Sequence, residues 1–354
     1  MNKIENTITT LPAEDYGALL VTSKVNRQYM TGFASSAGVL LLTAEGAWFL
    51  TDSRYYEAAQ TAVKSAKIIR ATKDEPYEKH VKEILQNSNI TTVGVEEATL
   101  THAGFLEWEE KLEVTLVKAQ QFFIEKRAVK EPWELEQMKK AQRFSEKAFE
   151  QILPLINTDI TEKELETELI YRILKSGADN IGFDPIVVSG KNTSRPHGVA
   201  GHEKISKGFL TIDFGAKVNG WHSDTTRTVC VGKPTDEMIN VYDTVLKAQL
   251  AALNFAKGGQ NGTDIDASAR NVIKDAGFGD YFGHGLGHGI GLEVHEKPNA
   301  TYVEEYTIPV GATITIEPGI YLPGKFGVRI EDTIFMTETG NENITNLSKK
   351  MIVL

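Results

Sequence analysis

A single cysteine, Cys230, occurs in 354 residues, so no intrachain disulfide can form and no thiolate set can hold a metal. This suits a reducing compartment. Set between Val229 and Val231, Cys230 reads as an inert buried thiol on a strand. Positive charge is also short. Lys and Arg number 38 against 48 Asp and Glu, a formal net charge of −10, which argues against nucleic acid or an anionic membrane as main partner because both need a basic face. No apolar run approaches the roughly 20 residues of a membrane span. Met1–Gly17 lacks the hydrophobic segment of a secretory signal, and the chain has no low-complexity tract and no short-period repeat. A cytoplasmic location is expected.

The length exceeds what one typical core fills, and a hydrophobic share of 41% supports sizeable cores, so two domains are expected. The first, residues 1–125, alternates strand and helix patterns and reads as a small α/β domain. Its strands are expected at Ala18–Thr22, Gly38–Thr43, Ala47–Thr51, Lys67–Ala71 and Thr92–Glu96, its helices at Glu57–Ser65, Tyr77–Gln86 and Thr101–Leu112. Asp52 or Ser53 is the candidate N-cap after the third strand. Arg54 next to them reads as a surface residue or as a contact to substrate or a neighbouring subunit.

A boundary is expected near Phe123–Pro132, where Lys126, Arg127, Lys130 and Glu131 crowd together. Residues 126–354 then form the second domain. Helical spacing predicts Pro132–Leu153, a helix opened by the Thr161–Glu164 capping box and closed at Gly177, and helices at Asp236–Ala256 and Asp264–Ala276. Strands are predicted at Ile186–Ser189, Phe209–Phe214, Thr225–Val231, Thr313–Glu317 and Val328–Met336. The mixture implies an α+β domain with helices over one face of a curved sheet.

The chemistry gathers around Gly283–His295, where three histidines stand among five alternating glycines. So much glycine weakens a helix and favours extended chain, with bare backbone where another group comes close. No phosphate-loop spacing occurs in it. Upstream, Asn219-Gly220 marks a hairpin turn between Phe209–Phe214 and Trp221–Val231. An odd separation and an even loop place Asp213 and Asp224 on one face. Alternation likewise puts Glu317, Arg329 and Glu331 on the polar sides of their strands. Carboxylates meeting in one cleft would repel by about 4 kcal/mol per close pair, more than one arginine offsets, whereas two divalent cations would convert repulsion into coordination. Oxygen ligands with one imidazole suit Mn²⁺, Co²⁺, Fe²⁺ or Zn²⁺ at a working site better than a structural zinc.

Ile212-Asp213-Phe214-Gly215, Ser223-Asp224-Thr225-Thr226-Arg227-Thr228, the His284–His288 run, Ile316-Glu317-Pro318-Gly319 and Val328-Arg329-Ile330-Glu331-Asp332 resemble, in order, the motifs of the pita-bread metallopeptidases: methionine aminopeptidase, prolidase and aminopeptidase P. The first domain resembles the N-terminal domain of prolidase, aminopeptidase P and creatinase. The resemblance implies that Asp213, Asp224, His288, Glu317 and Glu331 are metal ligands, with Asp224 and Glu331 bridging two ions, Mn²⁺ or Co²⁺ first. It implies Glu317 as the proton acceptor, His197 and His295 as catalytic partners, and His284 and Arg329 as substrate-side residues, with Arg329 either pairing with a substrate carboxylate or holding Glu331 and Asp224. The N-terminal domain and the Arg329–Asp332 pattern point to the Xaa-Pro branch, acting on proline-containing di- or oligopeptides as a homodimer. Xaa-Pro dipeptidase and aminopeptidase P both stay open. The rivals are a methionine aminopeptidase-like enzyme, a metal-free creatinase-like hydrolase and a binding protein on the same scaffold.

Overall fold

The computed structural model describes residues 3–11 and 14–354, which divide into two compact units, Met1–Lys126 and Arg127–Leu354. Among the described residues no helix is long and apolar enough to cross a membrane.

The N-terminal unit is built on a six-stranded sheet in the order Lys67–Arg70, Gly46–Thr51, Val39–Thr43, Ala18–Val21, Thr92–Val95, Thr115–Lys118. The three strands from Ala18 to Thr51 are antiparallel neighbours, and the outer ones add in parallel. Ala18–Val21 and Val39–Thr43 are buried along their whole length, as unbroken apolar runs at the centre of a covered sheet should be. Both edge strands end in exposed polar residues, which discourages pairing with another chain. Helix Lys24–Thr31, capped by Ser23 and ended by Gly32 at φ +70°, was not expected. Its buried face includes Asn26 and Arg27, which hide the apolar stripe. Asp52 and Ser53 do not cap the following helix, which runs Tyr56–Ala62 after Tyr55. The Asp52 carboxylate instead accepts from the Arg54 backbone and guanidinium.

In the C-terminal unit two helix pairs cover the sheets. Pro132–Ile152 begins with proline in its first turn, where the missing N–H costs nothing, and Glu162–Lys175 opens with the Thr161/Glu164 box. Their stripes, including Ala148, Phe149, Leu165 and Leu169, meet Val187, Leu210, Ile212 and Phe214 from the sheet of Ile186–Ser189, Gly208–Phe214 and Thr225–Val231. Asp236–Phe255 and Gly262–Asp275 pack on Ile314, Ile316, Ile330 and Ile334. Those residues belong to or adjoin a five-stranded sheet in which Gly287–Gly289 lies between Glu296–Ala300 and Thr313–Ile316. Together the helices and sheets give the expected α+β class.

One expected strand is two. Phe326–Arg329 pairs with Gly319–Leu322, whereas Asp332–Met336 pairs with Thr313–Ile316, so the chain changes partner at Ile330-Glu331. The only mark of it in the sequence is Asp332, a polar residue in the apolar phase of Val328, Ile330, Ile334 and Met336. The register of Ile316 with Asp332 brings Glu317 and Glu331 together just beyond the last rung. In the charged stretch near residue 130, Arg127 and Lys130 are buried.

Candidate metal centre

One register runs along the whole hairpin, from Val218 opposite Trp221 to Asp213 opposite Thr226. It leaves a two-residue turn, Asn219-Gly220, with both φ values positive (51° and 90°), the conformation that Asn-Gly favours. Asp213 and Asp224 therefore share a face. Between them the strands press together: a Cβ on Gly215 would lie 2.0 Å from the Ser223 carbonyl, which only glycine permits. The histidine run is extended over Gly287–Gly289, where a Cβ on Gly287 would lie 1.9 Å from the Thr315 carbonyl. Here bare backbone carries His288 up to its neighbours.

Asp213, Asp224, His288, Glu317 and Glu331 all line one cavity of about 640 Å³, together with His197, His284, His295 and Arg329. Asp224, His288 and Glu331 each offer an atom within 4.8 Å of the others. His288 Nε2 lies 3.4 Å from Glu317 Oε1 and 3.6 Å from Asp224 Oδ2. Asp213 Oδ2 accepts from Arg329 Nη2 at 2.7 Å. Glu331 Oε2 accepts from the Thr226 hydroxyl at 2.7 Å, and Glu317 Oε1 from the Thr315 hydroxyl at 3.2 Å. Arg54 lies in the N-terminal unit, exposed and paired with Asp52.

Burial, then mutual repulsion with neighbouring carboxylates, raises Asp224 and Glu331 well above the ordinary carboxylate range. Burial likewise pushes Glu317 up to about 8 against the pull of Arg329. Desolvation holds His288 down at about 3 and His284 at about 4, so both imidazoles are neutral at pH 7. Nδ1 of His288 faces the Gly289 carbonyl at 3.0 Å and must carry the proton. The Nε2 lone pair then points at two carboxylate oxygens. Moreover, Asp213 Oδ1, Asp224 Oδ1 and Glu331 Oε1 are buried without a hydrogen-bond partner among the described residues. A lone pair facing anions, and orphaned anionic oxygens beside it, are unfavourable until a cation sits among them. The residues fit divalent metal.

Arg329, which lines the cavity, also makes several contacts within the protein. Its Nε donates to Thr226 Oγ1 at 3.0 Å and its Nη1 to Tyr321 Oη at 3.0 Å and to the Pro196 carbonyl at 3.3 Å. Its charge partner is Asp213. Sequence reasoning missed Tyr321, which donates to His284 Nε2 at 2.9 Å, because Nδ1 of that ring donates to the Gly285 carbonyl. Its signal was available: Tyr321 continues the Glu317, Gly319 alternation. Thr226 and Thr315 stand two residues from Asp224 and Glu317 by the same rule. Arg227 is buried, bonds the carbonyls of Thr226 and Glu331, and pairs with Asp332 at 2.8 Å.

Comparison with known proteins extends this geometry. Residues 136–338 match metallopeptidase family M24, and residues 3–129 match the creatinase/prolidase N-terminal domain. An uncharacterized peptidase of Bacillus subtilis is 38% identical over 338 residues, covering 95% of each chain. Among solved structures, an Xaa-Pro dipeptidase from Bacillus anthracis aligns with TM-score 0.95 at 37% identity over 99% of both chains. An X-Pro aminopeptidase from Thermotoga maritima aligns with TM-score 0.93 at 34% identity over the full length of both.

Proposed function

Because the chain belongs to metallopeptidase family M24, with an N-terminal domain of the creatinase/prolidase type, we propose that it hydrolyses the peptide bond between an N-terminal residue and proline. The observation that carries this reading is the convergence in one cavity of His288 and the buried oxygens of Asp213, Asp224 and Glu331 that have no partner among the described residues. Relatives described as Xaa-Pro dipeptidase and X-Pro aminopeptidase support the choice of bond.

Asp213, Asp224, His288, Glu317 and Glu331 would hold two divalent ions, Mn²⁺ or Co²⁺ first. Such ions, when bound, polarise a peptide carbonyl and bring the pKa of water toward about 7. Glu317 takes the proton of the attacking water, and the Thr315 hydroxyl fixes its Oε1 in orientation. His197 and His295, both lining the cavity, hydrogen-bond the oxygen that gains negative charge and return a proton to the proline nitrogen. Arg329 keeps Asp213 aimed inward. An Xaa-Pro bond has no N–H to offer, so a site that grips the carbonyl and the chain's start suits it better than one that binds extended backbone.

Metal analysis with peptide cleavage before and after chelation tests the reading. Activity on Xaa-Pro peptides should vanish on stripping and return with Mn²⁺ or Co²⁺; activity indifferent to chelation refutes it. Ala-Pro against Ala-Pro-Ala separates the two branches, since a strict dipeptidase leaves the tripeptide intact. The trans form of the bond is the substrate, and equal rates on cis-locked peptides would refute that part. Sedimentation velocity checks the homodimer that the resemblance implies.

A further inference from the structure

The loop after His288 leaves the cavity and returns to it at His295, whose ring centroid lies 4.2 Å from that of His288. Its far end is gripped from behind by buried charge. Glu296 is 5% exposed in its side chain, and its Oε1 accepts from Lys130 Nζ, itself fully buried, at 2.7 Å. Its Oε2 is paired with Arg127, which also holds Glu293 at 2.7 Å. Lys130 Nζ donates further to the Arg127 carbonyl at 2.8 Å. Across the loop the Glu296 carboxylate lies against Gly291, where a Cβ would come within 2.4 Å of it. The Gly291 carbonyl in turn accepts from the His222 backbone at 2.8 Å, two residues before Asp224. One carboxylate thus connects two buried cations to the loop on which His295 stands.

We propose that Lys130 and Arg127, acting through Glu296, set the position of His295 beside His288, which makes the three of them positioning residues for the hydrolysis. Two buried cations on one carboxylate are a costly way to close a surface loop, since apolar residues of similar size are often as stable. Fixed geometry is what an ion pair supplies and an apolar contact does not: Lys130 and Arg127 take different oxygens of Glu296, so its carboxylate cannot rotate. The kinetic consequence rests on the Xaa-Pro reading; the placement of His295 does not.

The test compares Glu296→Gln, Lys130→Met and the double variant Lys130→Met/Glu296→Leu with the parent, all full length. With manganese loaded and an Xaa-Pro peptide, each single variant should lose about ten- to a hundredfold in kcat, the scale of a misplaced group, while KM stays within about twofold. The double variant, in which Lys130 and Glu296 leave together and Arg127 keeps Glu293, should recover thermal stability but not kcat. In the metal-free protein the His295 imidazole resonances should shift or broaden in all three variants while those of His202 stay put. Recovery of both stability and kcat in the double variant overturns the inference, as does full kcat per folded molecule in the single ones. If the parent cleaves no Xaa-Pro peptide the reaction reading fails, and unchanged His295 resonances would then overturn the placement separately.

Discussion

Thr226→Val removes one oxygen and keeps the side chain's shape. That hydroxyl donates to Glu331 Oε2 at 2.7 Å and accepts from Arg329 Nε at 3.0 Å, and Thr226 is wholly buried. Hydrogen bonds to charged groups contribute about 1.5–3 kcal/mol each, and a buried partner left unpaired costs a similar amount. The other Glu331 oxygen is buried and lacks a partner among the described residues, so water cannot easily make up the loss. The metal-free variant should therefore be less stable by about 3 kcal/mol. In a unit of this size each kcal/mol moves Tm by roughly 2–4 °C, so calorimetry should show a fall of about 6–12 °C. Glu331 would also be less well aimed at metal, and titration with Mn²⁺ should give an affinity lower by about ten- to a hundredfold. If Tm stays within about 2 °C and affinity within about threefold, the hydroxyl does not link the two charges as argued.

Asp224→Ala should abolish Mn²⁺ binding by calorimetric titration without recovery at high metal. Yet the metal-free variant should be at least as stable as the parent, because Glu331, Asp213 and Glu317 all repel Asp224; a large loss of stability contradicts that. Gly287→Ala forces a Cβ to within 1.9 Å of the Thr315 carbonyl, so the strand carrying His288 must shift. Overpacking of this kind costs about 1–3 kcal/mol or more, and metal affinity should fall with stability. Glu296 bears on acid stability. Burial pushes its carboxyl up, but Lys130 and Arg127 together pull it below the ordinary 4.5. A depressed folded-state value means that its contribution is complete above about pH 4.5 and is lost as pH falls through the folded value. Urea denaturation should accordingly find Glu296→Gln less stable than the parent at neutral pH, with the two curves converging in acid; a constant gap would refute the assignment.

The hairpin shows what sequence alone could convey about this site. Asn219-Gly220 defines the turn, the turn defines the register, and period two carries Asp213 and Asp224 to the same face; every step is local, so every step is legible. The same logic placed Glu317, and the helix stripes were legible by their 3.6-residue period. It failed where a residue's partner lies far along the chain. Nothing near Arg329 says that its guanidinium ends on Asp213, 116 residues away, and nothing near Lys130 says that it is buried under Glu296. A charged side chain does not name its distant partner, and only the folded chain shows that each has found its counter-charge. The strand break at Ile330-Glu331 was hidden for a related reason. Alternation records which face a residue takes, not which strand stands beside it, and Phe326–Arg329 and Asp332–Met336 serve different neighbours. That change of partner is what lets Glu331 reach the hairpin, where its backbone N–H donates to the Thr226 carbonyl at 3.1 Å. The carboxylate hardest to place from sequence is thus the one whose position depends most on tertiary contacts. Thr226, bonded to it through both backbone and hydroxyl, is for that reason the most informative residue to change.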